Sequence, residues 1–188
     1  DFCFDQVADT AMSLILSVPR KVTYLSNLVR RGVYDRKLAK PIHNFRGATL
    51  GLVAFGNIPR NLIRKVVPFG FRVLAFDPYV KPEDVRQYPV GLVDFDTLLC
   101  ESDIVSVHAP LTGETRGSID AAVIGLLPAG GRILNVARGE IVDQDAMIEA
   151  LRSGHLGGAY LDVATPEPLP PDSPLWDMTN VIISPHNS

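Results

Sequence analysis

The segment at 49–77, TLGLVAFGNIPRNLIRKVVPFGFRVLAFD, restricts the fold more than any other part of the chain. An apolar run from Leu50 to Phe55 leads into a turn, a stretch of helical period, and a second apolar run that ends on an acid. Short runs that are continuously apolar, rather than alternating, are strands covered on both faces. A strand, a helix and a strand in that order make the unit of a parallel sheet. Asp77 lies 21 residues after Gly56, the spacing at which a dinucleotide-binding unit carries a carboxylate for the adenosine ribose. The turn departs from the usual glycine pattern. Where G-x-G-x-x-G is expected, the chain has Ala54, Gly56 and Pro59. Ala54 must take a glycine-like backbone with a Cβ attached. Pro59 puts a ring where helix meets strand, which a helix tolerates in its first turn because the missing N–H has no intrahelical partner there. The amides of Asn57 and Ile58 still face a pyrophosphate at the helix N-terminus. A weakened dinucleotide site is the expectation.

The same strand and helix alternation continues to the end. A short helix or loop at 81–87 and a weak strand at 90–93 precede a small helix at 95–100 and a strand at 103–108. A helix at 120–127 is stopped by Pro128, Gly130 and Gly131, and a strand at 132–136 follows. The helix at 143–153 has Asp143 as N-cap and Gly154 just past its end. Strands at 158–163 and 180–184 flank a proline-rich loop, TPEPLPPDSP. The fold class is therefore α/β, a doubly wound parallel sheet of Rossmann type, in one domain spanning 1–188.

Ahead of this pattern, Val7, Ala11, Leu14, Val18, Val22, Leu25 and Val29 recur at helical spacing through 5–32. They predict one long helix or two collinear ones, with a kink at Pro19. Ala8, Met12 and Ile15 widen the stripe beyond one packing surface, so a second contact, with the core or with another subunit, is expected. Residues 33–48 show no period and read as a loop.

Composition narrows the function classes. A length of 188 residues with 46% hydrophobic and 21% charged residues is that of a globular domain with a sizeable core. A net charge of −3 argues against a nucleic-acid or membrane-surface partner. The densest basic run, at 60–65, is expected to be a solvated helix face. Cys3 and Cys100 fit neither a disulfide framework nor a metal site, and one of them is expected to be helical and partly buried. No apolar run reaches the roughly 18 residues of a membrane span, and no leader-like stretch stands at the start, so a cytoplasmic protein is expected.

In an open parallel sheet, ligands bind at the carboxyl ends of the strands. The polar residues at those ends are Gly56 and Asn57, Asp77, His108, Arg138, Asp162 (read as lying within the sixth strand) and His186. An arginine, a histidine and several acids on one rim suggest an anion-binding, proton-transferring site. His108 is read as a loop stabiliser, and His43 and His155 as surface residues.

Periodicity does not name a reaction, but the motifs resemble a known family. NVARGEIVDQDAMIEAL (135–151), LDVATPEP (161–168), ISPHNS (183–188), VHAPLTGETRG (107–117) and the opening DQVADTAMSLIL are similar to blocks of the NAD-dependent D-isomer-specific 2-hydroxyacid dehydrogenases. The opening looks most like the branch holding phosphoglycerate dehydrogenase-like enzymes and the C-terminal-binding corepressors. The resemblance implies a catalytic set of Arg138, Glu167 and His186. Arg138 would hold the substrate carboxylate and polarise its carbonyl. His186 would exchange a proton with the carbonyl oxygen, and Glu167 would orient the imidazole and raise its pKa. Hydride would pass directly between substrate carbon and nicotinamide. By family position, Asp162 would contact the nicotinamide side of the cofactor. Ala109 and the backbone of Val136, Ala137 and Arg138 would line the same groove, beside Gly56, Asn57 and Ile58, with Asp77 on the ribose and favouring NAD over NADP. A homodimer through the 5–32 helix and a small 2-hydroxy or 2-keto acid substrate are implied too. No resident metal is.

The family also builds a substrate lobe outside the blocks matched here, so the chain is expected to be a cofactor domain with little turnover alone. The alternative is a relative that senses NAD, as the corepressors do, or that no longer binds it. Glu167 disfavours a formate dehydrogenase, which has another residue there.

Overall fold

A computed structural model describes residues 3–17, 20–40, 44 and 46–188. The expected kink at Pro19 and the surface position of His43 lie outside the described residues. The chain opens with two helices, α1 (Phe4–Ser17) and α2 (Val22–Arg30). The repeating pattern then runs β1 (Thr49–Val53), α3 (Asn57–Val66), β2 (Arg72–Phe76), α4 (Pro82–Val85), β3 (Gly91–Leu92), α5 (Phe95–Glu101) and β4 (Ile104–Val107). It ends with α6 (Ala121–Gly125), β5 (Gly131–Asn135), α7 (Gln144–Ser153), β6 (Leu156–Leu161) and β7 (Val181–Ile183).

The strands form one sheet in the order β3-β2-β1-β4-β5-β6-β7, every neighbouring pair parallel. This is the doubly wound arrangement that continuous apolar strands predict. Successive side chains of each strand enter opposite cores. Leu50 and Leu52 of β1 join α1 and α3 on one face, while Val53 joins α5, α6 and α7 on the other. A fully buried leucine contributes roughly 1.5–3 kcal/mol, and both cores hold many residues with no exposure at all. Gly51 shows how closely the layers approach. A Cβ there would stand 2.2 Å from Ser102 Oγ and 2.9 Å from Leu98 Cδ2, so α5 lies directly on the central strand.

Helix ends follow local chemistry. Asp94, Asp120 and Asp143 accept the amides of Thr97, Val123 and Ala146, each capping its helix. Gly154 ends α7 in the left-handed region, at φ 78°.

The wide stripe of α1 makes the core contact of the two expected: Val7, Ala8, Ala11, Met12, Leu14 and Ile15 are all buried. It is α2 that lacks a cover, since none of its residues is buried. Three other expectations need correction. The basic run at 60–65 is a solvated face at Arg64 alone. Arg60 lies over the rings of Phe55 and Tyr88, at 5.5 and 5.9 Å, and Lys65 pairs with Asp9 at 2.6 Å and Asp5 at 3.4 Å. Helix α1 supplies those acids, and only the packing of α1 on α3 brings them near. Cys100 is helical but exposed, as is Cys3. His155, expected at the surface, is half-buried and bonds the Ile124 carbonyl through Nε2 at 3.0 Å.

Candidate active site

Because all seven strands point the same way, their carboxyl ends make a single rim. Strands β1 to β3 spread from the centre in one direction and β4 to β7 in the other, so the switch point lies between β1 and β4.

The turn after β1 stands on that point. Ala54 adopts φ 75°, the left-handed conformation that its Cβ opposes. The turn is fastened all the same. The Ala54 amide donates to Phe76 O at 2.8 Å, and the Phe55 amide donates to Asp77 Oδ2 at 2.8 Å. The Tyr79 amide donates to the other oxygen, Oδ1, at 2.9 Å. Asp77 therefore closes its own turn as well as the glycine turn, and each oxygen keeps lone-pair capacity for a hydroxyl donor. Gly56 is the N-cap of α3 and offers no side-chain cap. The first-turn amides of Asn57 and Ile58 are thus left to solvent or to an anion. A Cβ on Gly56 would meet nothing within 4 Å, and the buried Pro59 occupies the first turn. Free amides at a ten-residue helix, open space before them and an acid just past the next strand fit a dinucleotide.

His108 follows β4 and turns back on it. Its Nε2 bonds Ser106 Oγ at 2.7 Å, while Nδ1 is covered and has no partner. Burial holds the ring neutral, its pKa lowered to about 3. Ala109, next in the chain, is buried, as is Val136, while Ala137 is half-buried.

After β5 the chain turns on Asn135, a buried amide that sequence reading passed over. Its Oδ1 accepts from the Ala137 amide at 3.0 Å and its Nδ2 donates to Arg138 O at 2.9 Å. An asparagine two and three residues before the groups it bonds is a legible local signal. Arg138 is exposed, and its guanidinium donates to Ala137 O at 2.6 Å. Gly139 then presses on the loop after β6, where a Cβ would stand 2.1 Å from Ala164 O.

That loop carries Glu167. Its Oε1 accepts the Ala164 amide at 2.8 Å, and its Oε2 faces His186 Nδ1 at 2.9 Å. Burial alone would raise the Glu167 pKa. The bonds from His186 and from the Ala164 amide outweigh it, and the carboxyl lies below its ordinary value. His186, past β7, has φ 52°. Asp162 corrects one expectation. It is not within a strand, because β6 ends at Leu161. The 184–188 segment folds over it and leaves it 1% exposed. Its Oδ1 accepts from Ser184 Oγ and the Asn187 amide, and its Oδ2 from the Ser188 amide and hydroxyl. Burial would raise its pKa, but these donors bring it below the ordinary range. Asp162 thereby clamps the chain on both sides of His186.

The structure therefore pairs Glu167 with His186 and seats the Arg138 turn against the Glu167 loop. Gly56, Asn57, Ile58 and Asp77 form a second group across the switch point. Among the described residues no three His, Cys, Asp or Glu side chains converge as metal ligands.

Residues 12–188 match the family model described as D-isomer specific 2-hydroxyacid dehydrogenase, NAD binding domain. The D-3-phosphoglycerate dehydrogenase of Archaeoglobus fulgidus is 38% identical over 179 residues, which are 95% of this chain and 34% of that protein. The crystal structure of apo D-mandelate dehydrogenase from Rhodotorula graminis superposes with a TM-score of 0.90 at 35% identity, covering 99% of this chain and 56% of that one. An NAD-dependent formate dehydrogenase from Staphylococcus aureus, solved in complex with NAD, gives a TM-score of 0.90 at 30% identity, with 97% and 55% covered. The chain thus spans about a third to a half of the relatives it matches.

Proposed function

The chain belongs to the D-isomer specific 2-hydroxyacid dehydrogenase family, and from that premise we propose that it supplies the cofactor-binding and acid–base half of an oxidoreductase. The reaction is hydride transfer between NAD(H) and a small D-2-hydroxy or 2-keto acid. The observation that carries this reading is the 2.9 Å contact between His186 Nδ1 and Glu167 Oε2. With Nδ1–H donated to the carboxylate, Nε2 is left to give a proton to a carbonyl oxygen or to take one from an alcohol. Glu167 orients the ring and stabilises it when charged. Arg138, exposed at the rim, binds the substrate carboxylate in a two-point contact and draws charge from the adjacent carbonyl. The bound nicotinamide supplies or accepts the hydride. The amides of Asn57 and Ile58 take the pyrophosphate, Asp77 takes the ribose hydroxyls, and its charge selects NAD by repelling a 2′-phosphate. Ala109 and the Val136–Arg138 backbone border the groove, and Asp162 acts on it through the His186 segment.

The bare α2 supports a homodimer. Val22 and Val29 are 53% and 51% exposed there, and Tyr34 just beyond is 91% exposed. Between Arg20 and Arg46 stand eight of the 18 basic residues but one of the 21 acids, so the rest of the chain is acidic. A basic, partly apolar arm beside an acidic body suits a second copy of the same chain. No described helix is long and apolar enough to cross a membrane, and two unpaired cysteines suit the cytoplasm.

The test follows NADH absorbance in the complete natural polypeptide that carries this chain, with glyoxylate, hydroxypyruvate, pyruvate and phosphohydroxypyruvate. Oxidation with at least one is expected, and Glu167→Gln should lower kcat by roughly 10²–10⁴. Failure with all four, together with NADH-dependent oligomerisation, would replace the enzyme by a nucleotide sensor.

A further inference from the structure

The 164–170 loop that carries Glu167 has few means of holding still. Pro166 and Pro168 have no amide hydrogens, so the 165–168 stretch offers the backbone donors of Thr165 and Glu167 alone. The Thr165 amide donates to Gln144 Oε1 at 3.1 Å. Among the described residues, that is the one hydrogen bond from the 164–170 loop to α7 or to the Arg138 turn. Gln144 is itself fixed. It is the first residue of α7, beside the Asp143 cap, and the Asp143 amide donates to Ile119 O at 2.9 Å. On its other side Thr165 meets Gly139, where a Cβ would lie 2.5 Å from Thr165 Oγ1 and 2.1 Å from Ala164 O.

We propose that Gln144 is a positioning residue that locks the Thr165–Glu167 turn onto the segment bearing Arg138, so that the substrate anchor and the acid–base pair share one mount. Thr165 is gripped between Gly139 and Gln144, and both grips belong to the 138–144 stretch. Glu167 lies two residues further on, closed back onto Ala164 through Oε1 and onto His186 through Oε2. Without the Gln144 acceptor the turn slides over Gly139 and the Glu167 carboxylate loses its aim at Nδ1. This role rests on reading Glu167 and His186 as the acid–base pair.

The test uses Gln144→Met, which keeps side-chain bulk and removes the acceptor, and Gln144→Glu, which restores one. Amide exchange at Thr165, a carbon-13 titration of the Glu167 carboxyl and the nitrogen-15 signature of His186 Nδ1 are read on the chain by NMR. In Gln144→Met, Thr165 exchange should quicken about fivefold, the share of one net hydrogen bond. The Glu167 midpoint should rise toward its ordinary value, and the Nδ1 signal should lose its hydrogen-bonded character. Gln144→Glu should return all three toward wild type. A lowered Tm in Gln144→Met with Glu167 and His186 unchanged would overturn the proposal and leave Gln144 a stabilising contact only. None of these measurements needs turnover. Inactivity of the complete polypeptide would refute the proposed reaction alone, and unmoved NMR signals would refute this mount alone.

Discussion

Ala54→Gly isolates the conformational cost at the mouth of the site. Ala54 holds φ 75° in a turn fixed on both sides by Phe76 O and Asp77. An L-residue in that region costs roughly 1–2 kcal/mol relative to its preferred conformations. Glycine removes this cost, but its looser unfolded chain takes back roughly 0.5–1 kcal/mol. The net gain is about 0.5–1 kcal/mol, a rise in Tm of about 1–4 °C for a chain of this size. Gly154 serves as the mirror control. It has φ 78° with nothing within 4 Å of an added Cβ, so Gly154→Ala introduces the strain that Ala54→Gly relieves. Scanning calorimetry at neutral pH should show opposite shifts of similar size. If Gly154→Ala falls as expected while Ala54→Gly stays level or also falls, the turn is not strained in solution and the reasoning fails.

Affinity follows from the same turn: calorimetry should show tighter NADH binding in the double variant Ala54→Gly, Pro59→Gly, and unchanged affinity would reject a weakened fingerprint. Acid should destabilise the fold in two stages. His108 has its pKa lowered from 6.5 to about 3 in the folded chain, so its contribution is complete above about pH 6.5 and is lost as pH falls toward 3. Glu167 and Asp162, also lowered, add a loss that begins only below their ordinary values of 4.5 and 3.8. Thermal melts of His108→Gln between pH 6.5 and 4.5 should therefore be flatter than wild type, and parallel curves would rule the first stage out. For the dimer, Val29→Glu on α2 should give a monomer by sedimentation without lowering Tm by more than about 1 °C; a sedimentation profile matching wild type would place the interface elsewhere.

What was legible in the sequence was what is local. Short apolar runs mark the strands because a parallel strand is covered on both faces. Asp143 and Gly154 mark the limits of α7 because caps act within a few residues of themselves. The strand-end positions of Asp77, Arg138 and His186 were legible from the sheet pattern, but a role for each came only from the family motifs, since nothing in the periodicity distinguishes His186 from an incidental histidine. Pairings made by the fold were not legible. Lys65 meets Asp5 and Asp9 across more than fifty residues of chain, and Gln144 meets Thr165 across 21. Asp162 directly follows β6, but the four donors that bury it come from the 184–188 segment, which strand spacing does not show. The apolar spacing through 5–32 makes one stripe, although only its first half faces this chain's core. Spacing shows that a helix has an apolar side and says nothing of what stands opposite.

The order of strands has a consequence for assembly. Strands β3, β2 and β1 come from one continuous stretch of chain and β4 to β7 from another, so a single pairing, β1 with β4, joins the two halves of the sheet. A ligand lying across the rim at that junction acts as a brace between them. Its binding free energy is added to the cohesion of the halves, so a protein whose turn has lost its fingerprint glycines would give up part of its resistance to being pulled apart along with part of its grip on the nucleotide.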